Sequence, residues 1–353
     1  MMGAAASTGD RRVGSRVPPT TTTLAYRQFG RATWRDPFDL YRRLRDEDPV
    51  HRSPDGYWVL TRFADVFDAA RDTTTFSSEQ GLTFVNERAA LHLPPTIVMM
   101  DPPDHTVYRR LVSGGFTPRR VADIETDVRR FAAARIDELT RAGEGDFVAV
   151  VARPVASYVV AHYLGVPEND RQRFEGWTEA IVQANAAGDP FRAPQALGEV
   201  YEYFSALIER RRSEPGDDII SGLLEADAEG RGIGLEGILG YAFVMIAGGN
   251  DTTTGLLAGA AELLTAHGDQ RRLVIEERSL LANAVEESLR LTSPVQGLCR
   301  VATRDVAFDG RTIREGDRVL LCYGAANRDP REFGPDVESF DVRRRIERIL
   351  AFS

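Results

Sequence analysis

Apolar residues recur every three to four positions through most of this chain, and the spacing changes only toward the ends. Val121 to Leu139, Arg171 to Ala184, Ala196 to Arg211 and Leu235 to Thr265 each carry such a face. Each is interrupted by Gly, Pro or Asp-rich turns, and each is predicted to be helical. A further helix is expected to open at Asp36-Pro37, with Asp as the cap and Pro in the first turn. Its apolar positions are Leu40, Tyr41 and Leu44. Ser53-Pro54-Asp55-Gly56 predicts a turn between a short strand and Tyr57-Trp58-Val59-Leu60, which makes a hairpin. After Thr292 the pattern shortens to strand-like runs such as Arg318 to Cys322. Ala326 to Val342 predicts a turn-rich meander without a helix. The expected fold class is mainly α with small β-sheets. Residues 1 to 22 lack any apolar periodicity and are expected to be a disordered tail, with residues 23 to 353 forming one domain.

From Gly237 to Ala261 the only charge is Asp251, a length that would suit a membrane helix. The stretch is rich in Gly, Ala and Thr, and a central Asp costs roughly 2.5–3.5 kcal/mol on insertion scales. A helix apolar on all sides also suits the centre of a large soluble domain, so no membrane association is expected. Composition narrows the chemistry further. The 353 residues carry a formal charge of −9, which argues against a nucleic-acid partner. All 44 basic residues are arginine. Without lysine there is no pyridoxal Schiff base, no ordinary P-loop nucleotide site and no protein-kinase centre. Cys299 and Cys322 are too far apart for a CxxC pair, and the five histidines are scattered. No metal site is expected from them, and a reducing cytoplasm is the natural location.

Gly232-Ile-Gly234-Leu-Glu-Gly237 matches GxGxxG but follows an acidic loop instead of a strand, so it is expected to lead into the next helix. Four other segments carry more. Gly248-Gly249-Asn250-Asp251-Thr252-Thr253 places two glycines inside a helix at a cost of about 1 kcal/mol each. Their missing side chains would admit a flat ligand, and Asp251 with Thr252 forms a candidate proton-delivery pair. In Asp101-Pro-Pro-Asp104-His105-Thr-Val-Tyr-Arg109-Arg110, His105 and Arg109 lie four apart on one helix face, suited to a carboxylate. Glu287-Ser-Leu-Arg290 sets up an ion pair that contributes little if exposed and needs further hydrogen bonds if buried. The fourth segment is Ala326-Asn327-Arg328-Asp329-Pro330 with Phe333-Gly-Pro335 and Ser339-Phe340-Asp341-Val342.

In this order and at these separations the four segments resemble the cytochrome P-450 family of haem-thiolate monooxygenases, of the soluble bacterial type, from about Asp36 onward. The resemblance implies a helical triangular prism with haem b between the long helix and a cysteine-ligand loop. It implies propionate binding by His105, Arg109 and Arg300, and approach of the macrocycle at Gly248 and Gly249. It also implies proton delivery by Asp251 and Thr252, and a structural ion pair, Glu287–Arg290. The activity implied is hydroxylation of a lipophilic small molecule with O₂, with electrons from a ferredoxin or flavodoxin. Residues 80 to 98, Trp177 to Pro190, Ala247-Gly248 and Val295 to Leu298 are implied to line the substrate pocket. The arginine clusters 109–110, 119–120 and 343–345 are candidates for a basic docking face.

Two departures accompany the resemblance. Ser339 stands where the family often supplies a third partner to the Glu–Arg pair, leaving Arg343 or Arg344 as substitutes. Phe352-Ser353 matches only the first two residues of the Phe-x-x-Gly-x-x-x-Cys-x-Gly loop, so the axial cysteine would fall six residues beyond the last residue. The thiolate favours O–O cleavage, so the expectation for a chain of this extent is weak or absent activity, or a non-enzymatic fragment or haem-free binding module. Cys322 reads as a buried strand thiol, and nothing marks Cys299 as a ligand.

Overall fold

The computed structural model describes residues 24–27, 30, 33, 35–87, 96–186, 193–230 and 232–351. The expected tail at 1–22 and the loop match at Phe352-Ser353 lie outside them. Helix α1 (Phe38–Glu47) buries Tyr41 and Leu44 and stops before Pro49. The expected hairpin follows as β1 (Val50–Arg52) and β2 (Trp58–Leu60), antiparallel with Arg52 opposite Trp58. Next come α2 (Phe63–Arg71) and the short β3 (Phe76–Ser77).

The helical half holds α3 (Asp104–Ser113), α4 (Pro118–Ala142), α5 (Arg153–Tyr163), α6 (Arg171–Ala186), α7 (Pro194–Ser213), α8 (Ile219–Ala228) and α9 (Gly234–Ala266). Local chemistry sets several ends. Thr117 Oγ1 accepts from the Arg120 N–H at the start of α4, where Pro118 fills the first turn. Asp218 caps α8 by accepting from the Ser221 N–H. A π-helical turn, Val148–Ala152, runs directly into α5. GxGxxG behaves as expected: Gly234 opens α9.

α9 is the axis of this half, packed against α5, α6 and α7. Val160, Phe174, Phe204, Ile238 and Ile246 belong to the large apolar core around it. Its second half meets α11 (Leu281–Thr292), which follows α10 (Gly268–Glu276). The fit is close there: a Cβ on Gly259 would run into the Thr292 methyl group.

After α11 the chain forms β4 (Leu298–Ala302), β5 (Val306–Phe308), β6 (Arg311–Ile313) and β7 (Arg318–Leu321). Among the described residues one sheet has the order β1-β2-β7-β4-β3, and β5-β6 form a separate hairpin. β2 and β7 run parallel, with Trp58 opposite Val319. The sheet covers a second core that includes Phe63, Phe76 and Val319. The meander expected at Ala326–Val342 is not free of helix. Single turns α12 (Tyr323–Ala326) and α13 (Pro330–Phe333) interrupt it. Asp329 explains the second, because its carboxylate caps the Arg331 N–H and Pro330 fits the first turn. Among the described residues no helix is long and apolar enough to cross a membrane.

Candidate functional site

The centre of α9 exposes Gly248, where an added Cβ would meet nothing within 4 Å. Gly249 faces α5 instead, and a Cβ there would stand 3.0 Å from Val160 Cγ2. The two glycines therefore do different jobs. One leaves open space, and the other brings two helices together. Thr252 Oγ1 donates to the Gly248 carbonyl at 2.7 Å, so its lone pairs remain available to accept. Asp251 reaches the surface, yet burial by the surrounding protein pushes its carboxyl above the usual range, and Arg153 on α5 opposes that shift.

Two cationic positions lie outside α9. α3 lies against its first half, with Tyr108 Oη 2.4 Å from where a Gly237 Cβ would sit. On α3, His105 is half-buried and Arg109 exposed. Burial, with the neighbouring Arg109 charge second, lowers the imidazole below its ordinary range. The Arg109 guanidinium thus carries the fixed charge, and the His105 ring offers an N–H donor beside it, a combination suited to an anion. Arg300 projects from β4, which begins just after α11. It is only 6% exposed, and its Nη1 donates to the Cys299 carbonyl at 2.9 Å. Among the described residues it forms no ion pair. A buried guanidinium without a carboxylate carries an uncompensated desolvation cost, so this position selects an anionic ligand.

The Glu287–Arg290 pair is fully buried and bidentate, at 2.7 and 2.8 Å. Arg344 is the third partner. Its Nε donates to Glu287 Oε1 at 3.1 Å, and its other nitrogens reach the Phe333 and Asp336 carbonyls at 2.7 and 2.9 Å. Ser339 contributes its backbone carbonyl, which accepts from both arginines. Arg290 Nη1 donates to the Asn327 carbonyl at 2.9 Å. Burial thus decides between the two values the ion pair had in sequence. This network also corrects the docking face expected from sequence. Arg344 is internal and Arg120 is tied to Asp217 at 2.5 Å, whereas Arg110 and Arg119 are exposed and make no ion pair among the described residues.

Neither cysteine offers a ready thiolate. Cys299 lies within β4 and Cys322 just after β7, both fully buried. Burial pushes the Cys299 thiol up to about 12 and the Cys322 thiol up to about 11. Among the described residues no cluster of three or more His, Cys, Asp or Glu side chains could hold a metal.

An open glycine beside an acid–alcohol pair, two anion-seeking positions on α3 and β4, and a buried Glu–Arg–Arg network define a class. The chain belongs to the cytochrome P450 family, the haem-dependent monooxygenases, whose model matches residues 49–345. Such enzymes use O₂, lipophilic substrates and a redox partner. Cytochrome P450 130 of Mycobacterium tuberculosis is 52% identical over 334 residues, covering 91% of this chain and 82% of that protein. A vitamin D(3) 25-hydroxylase from Pseudonocardia autotrophica is 36% identical, with 92% and 81% covered. Among solved structures, cytochrome P450 CYP109Q5 from Chondromyces apiculatus matches with a TM-score of 0.81 at 33% identity, covering 92% of this chain and 82% of that one.

The sequence left one functional feature undecided and missed another. Arg344 stands beside Arg343 in a loop without periodicity, so no spacing rule chose between them. Arg153 lies on a helix whose start, Val148 to Ala152, is a continuous apolar run that hides its period.

Proposed function

We propose that this chain binds haem b through Arg300 on one side and through His105 and Arg109 on the other, and hydroxylates a lipophilic small molecule. Arg300 carries this reading, because a buried, unpaired guanidinium matches a propionate carboxylate in charge and geometry. When bound, the haem supplies dioxygen activation and the oxidising equivalent for the C–H bond. Gly248 leaves room for the macrocycle and substrate, and Gly249 keeps α9 against α5. Asp251, held toward its protonated form by burial, would supply a carboxyl proton for transfer about one turn of α9 from Gly248. Thr252 orients that transfer through the hydroxyl lone pairs left free by its bond to Gly248. The Glu287–Arg290–Arg344 network fixes α11, and with it the start of β4 that carries Arg300.

Relatives named for vitamin D(3) and steroid oxidation support a lipophilic substrate of that general size. A ferredoxin-type donor in the cytoplasm fits the exposed Arg110 and Arg119. Neither cysteine is proposed as an iron ligand. Replacing Arg300 with Leu tests the reading. Haem transfer from the loaded protein to apomyoglobin should accelerate by about tenfold or more, the loss of one charge-assisted contact. An unchanged transfer rate would remove Arg300 from the haem site.

A further inference from the structure

One guanidinium spans the strand that carries Arg300. In the sheet order β7-β4-β3, Arg318 stands opposite Val301 and Leu320 opposite Cys299, so these four side chains share one face. Arg300, opposite Val319, points to the other face. On the far edge of β4, β3 ends at Ser77, and the chain turns at Gly81 to bring the Leu82 carbonyl to the Cys299 N–H at 2.8 Å. Arg318 reaches across β4 to this turn. Its Nη1 donates to the Gly81 and Thr83 carbonyls at 3.3 and 2.9 Å, and its Nη2 donates to the Gln80 carbonyl at 3.1 Å. As an arm laid over Cys299 should, the Arg318 charge acts on that thiol more strongly than the Arg300 charge does.

Residues 80–83 lie outside the strands, so each of their carbonyls needs a donor of its own. The Arg318 fork supplies three of the four, and the Cys299 N–H supplies the fourth. Glu87 closes the turn from the other side: its N–H donates to the Gln80 carbonyl at 3.1 Å, and its Oε2 accepts from the Leu82 N–H at 2.7 Å. Gly81 has a φ of 96°, and a Cβ there would run into the Glu87 carboxylate, so this tight form requires glycine. Arg300 is held at the same edge. A strand residue turns its N–H and its carbonyl toward one neighbour, so Cys299, whose N–H meets Leu82, presents its carbonyl to the loop as well. That carbonyl accepts from Arg300 Nη1 at 2.9 Å. The Arg300 guanidinium therefore lies, curled round from the opposite face, at the edge that Leu82 closes.

We propose that Arg318 is a positioning residue for the haem site: it staples residues 80–83 against β4, and the stapled loop holds Arg300 toward the haem propionate. The proposal rests on the reading of Arg300 as a haem contact and extends it to a residue on the opposite face of the strand. Without the fork, three carbonyls must turn to water and the Leu82–Cys299 bond loosens. The Cys299 carbonyl and the Arg300 side chain then gain freedom together. Lysine is a poor substitute, because a single ammonium nitrogen replaces two nitrogens that address different carbonyls.

The test uses haem-loaded protein. In Arg318→Met, which keeps the stem and removes the donors, amide hydrogen exchange at Leu82 and Cys299 should rise about tenfold, with exchange in α9 unchanged. Haem transfer to apomyoglobin should accelerate about fivefold. The deciding comparison is Arg300→Leu with and without Arg318→Met. A residue that acts only through Arg300 adds nothing once Arg300 is gone, so the double variant should lose haem as fast as Arg300→Leu alone. Unchanged exchange or transfer in Arg318→Met would overturn the staple, as would its full acceleration appearing again on top of Arg300→Leu. Unchanged transfer in Arg300→Leu would instead remove the haem-contact reading, and with it the staple's role there. If Arg318→Met does not fold, Arg318→Lys carries the same comparison, with a smaller acceleration in the same direction.

Discussion

Asp251 and Cys299 show how one cause, burial, has opposite value for two side chains. For Asp251 it holds a proton near the place where one is used. Its folded carboxyl titrates above the unfolded one, so its stability contribution is full below the unfolded range and is lost as pH rises through the folded value. Asp251→Asn is therefore expected to raise the melting temperature at pH 8. That gain should shrink toward zero on acidification into the ordinary carboxylate range, as read by thermal melts across pH. A gain that persisted at pH 4 would contradict the assignment. In Cys299 and Cys322 burial suppresses chemistry. Neither thiol should react with iodoacetamide at pH 8 in the native protein, and both should react after unfolding, which peptide mass spectrometry reads directly. The residue types at these positions were legible in the sequence, but the sign of their titration was not. It depends on how much protein gathers around each side chain, and that is a property of packing.

At the level of elements, α11 packs its Thr292 side chain onto Gly259 of α9 and is tied to residues 327–344 by the charged network beneath it. Breaking a buried pair leaves the remaining charge unpaired, a loss of about 3–5 kcal/mol. Glu287→Gln strands the Arg290 guanidinium, while Arg344 keeps Asp336, and should lower unfolding stability by about that amount, measured by urea titration. Arg344→Leu should cost less, because Arg290 keeps its bidentate partner. Equal losses would mean that Arg344 is not an integral member. The long periodic segments were readable because a wide apolar stripe recurs at helical spacing, and their ends moved by only a few residues. α5 was not, because Val148 to Val151 is apolar at every position, and its π turn shifts the register that follows. α8 was missed although Asp218 capping Ser221 left a signal, since Asp217-Asp218 also reads as an ordinary turn. The turns within 326–342 were missed for the same reason. A four-residue helix is too short to show a period.

For the whole molecule, charge is unevenly placed. The total is −9, yet Arg110 and Arg119 near the α3–α4 junction, close to the proposed haem edge, are exposed and make no ion pair among the described residues. An acidic electron donor would be steered there against the overall repulsion. Arg110→Glu with Arg119→Glu should slow reduction by an acidic ferredoxin about tenfold at low salt. The difference should fade near 0.5 M salt, where screening reaches only a few ångström, as about 10 Å at 0.1 M scales down. Stopped-flow reduction measures both, and a salt-independent difference would point away from steering. The pairing of β2 with β7 has a different kind of consequence. Trp58 must wait for Val319, so the hairpin's inner edge stays open while the whole helical half between them is made. During synthesis that edge is the natural place for errant strand addition, and chaperone dependence should centre on it until the last strands emerge.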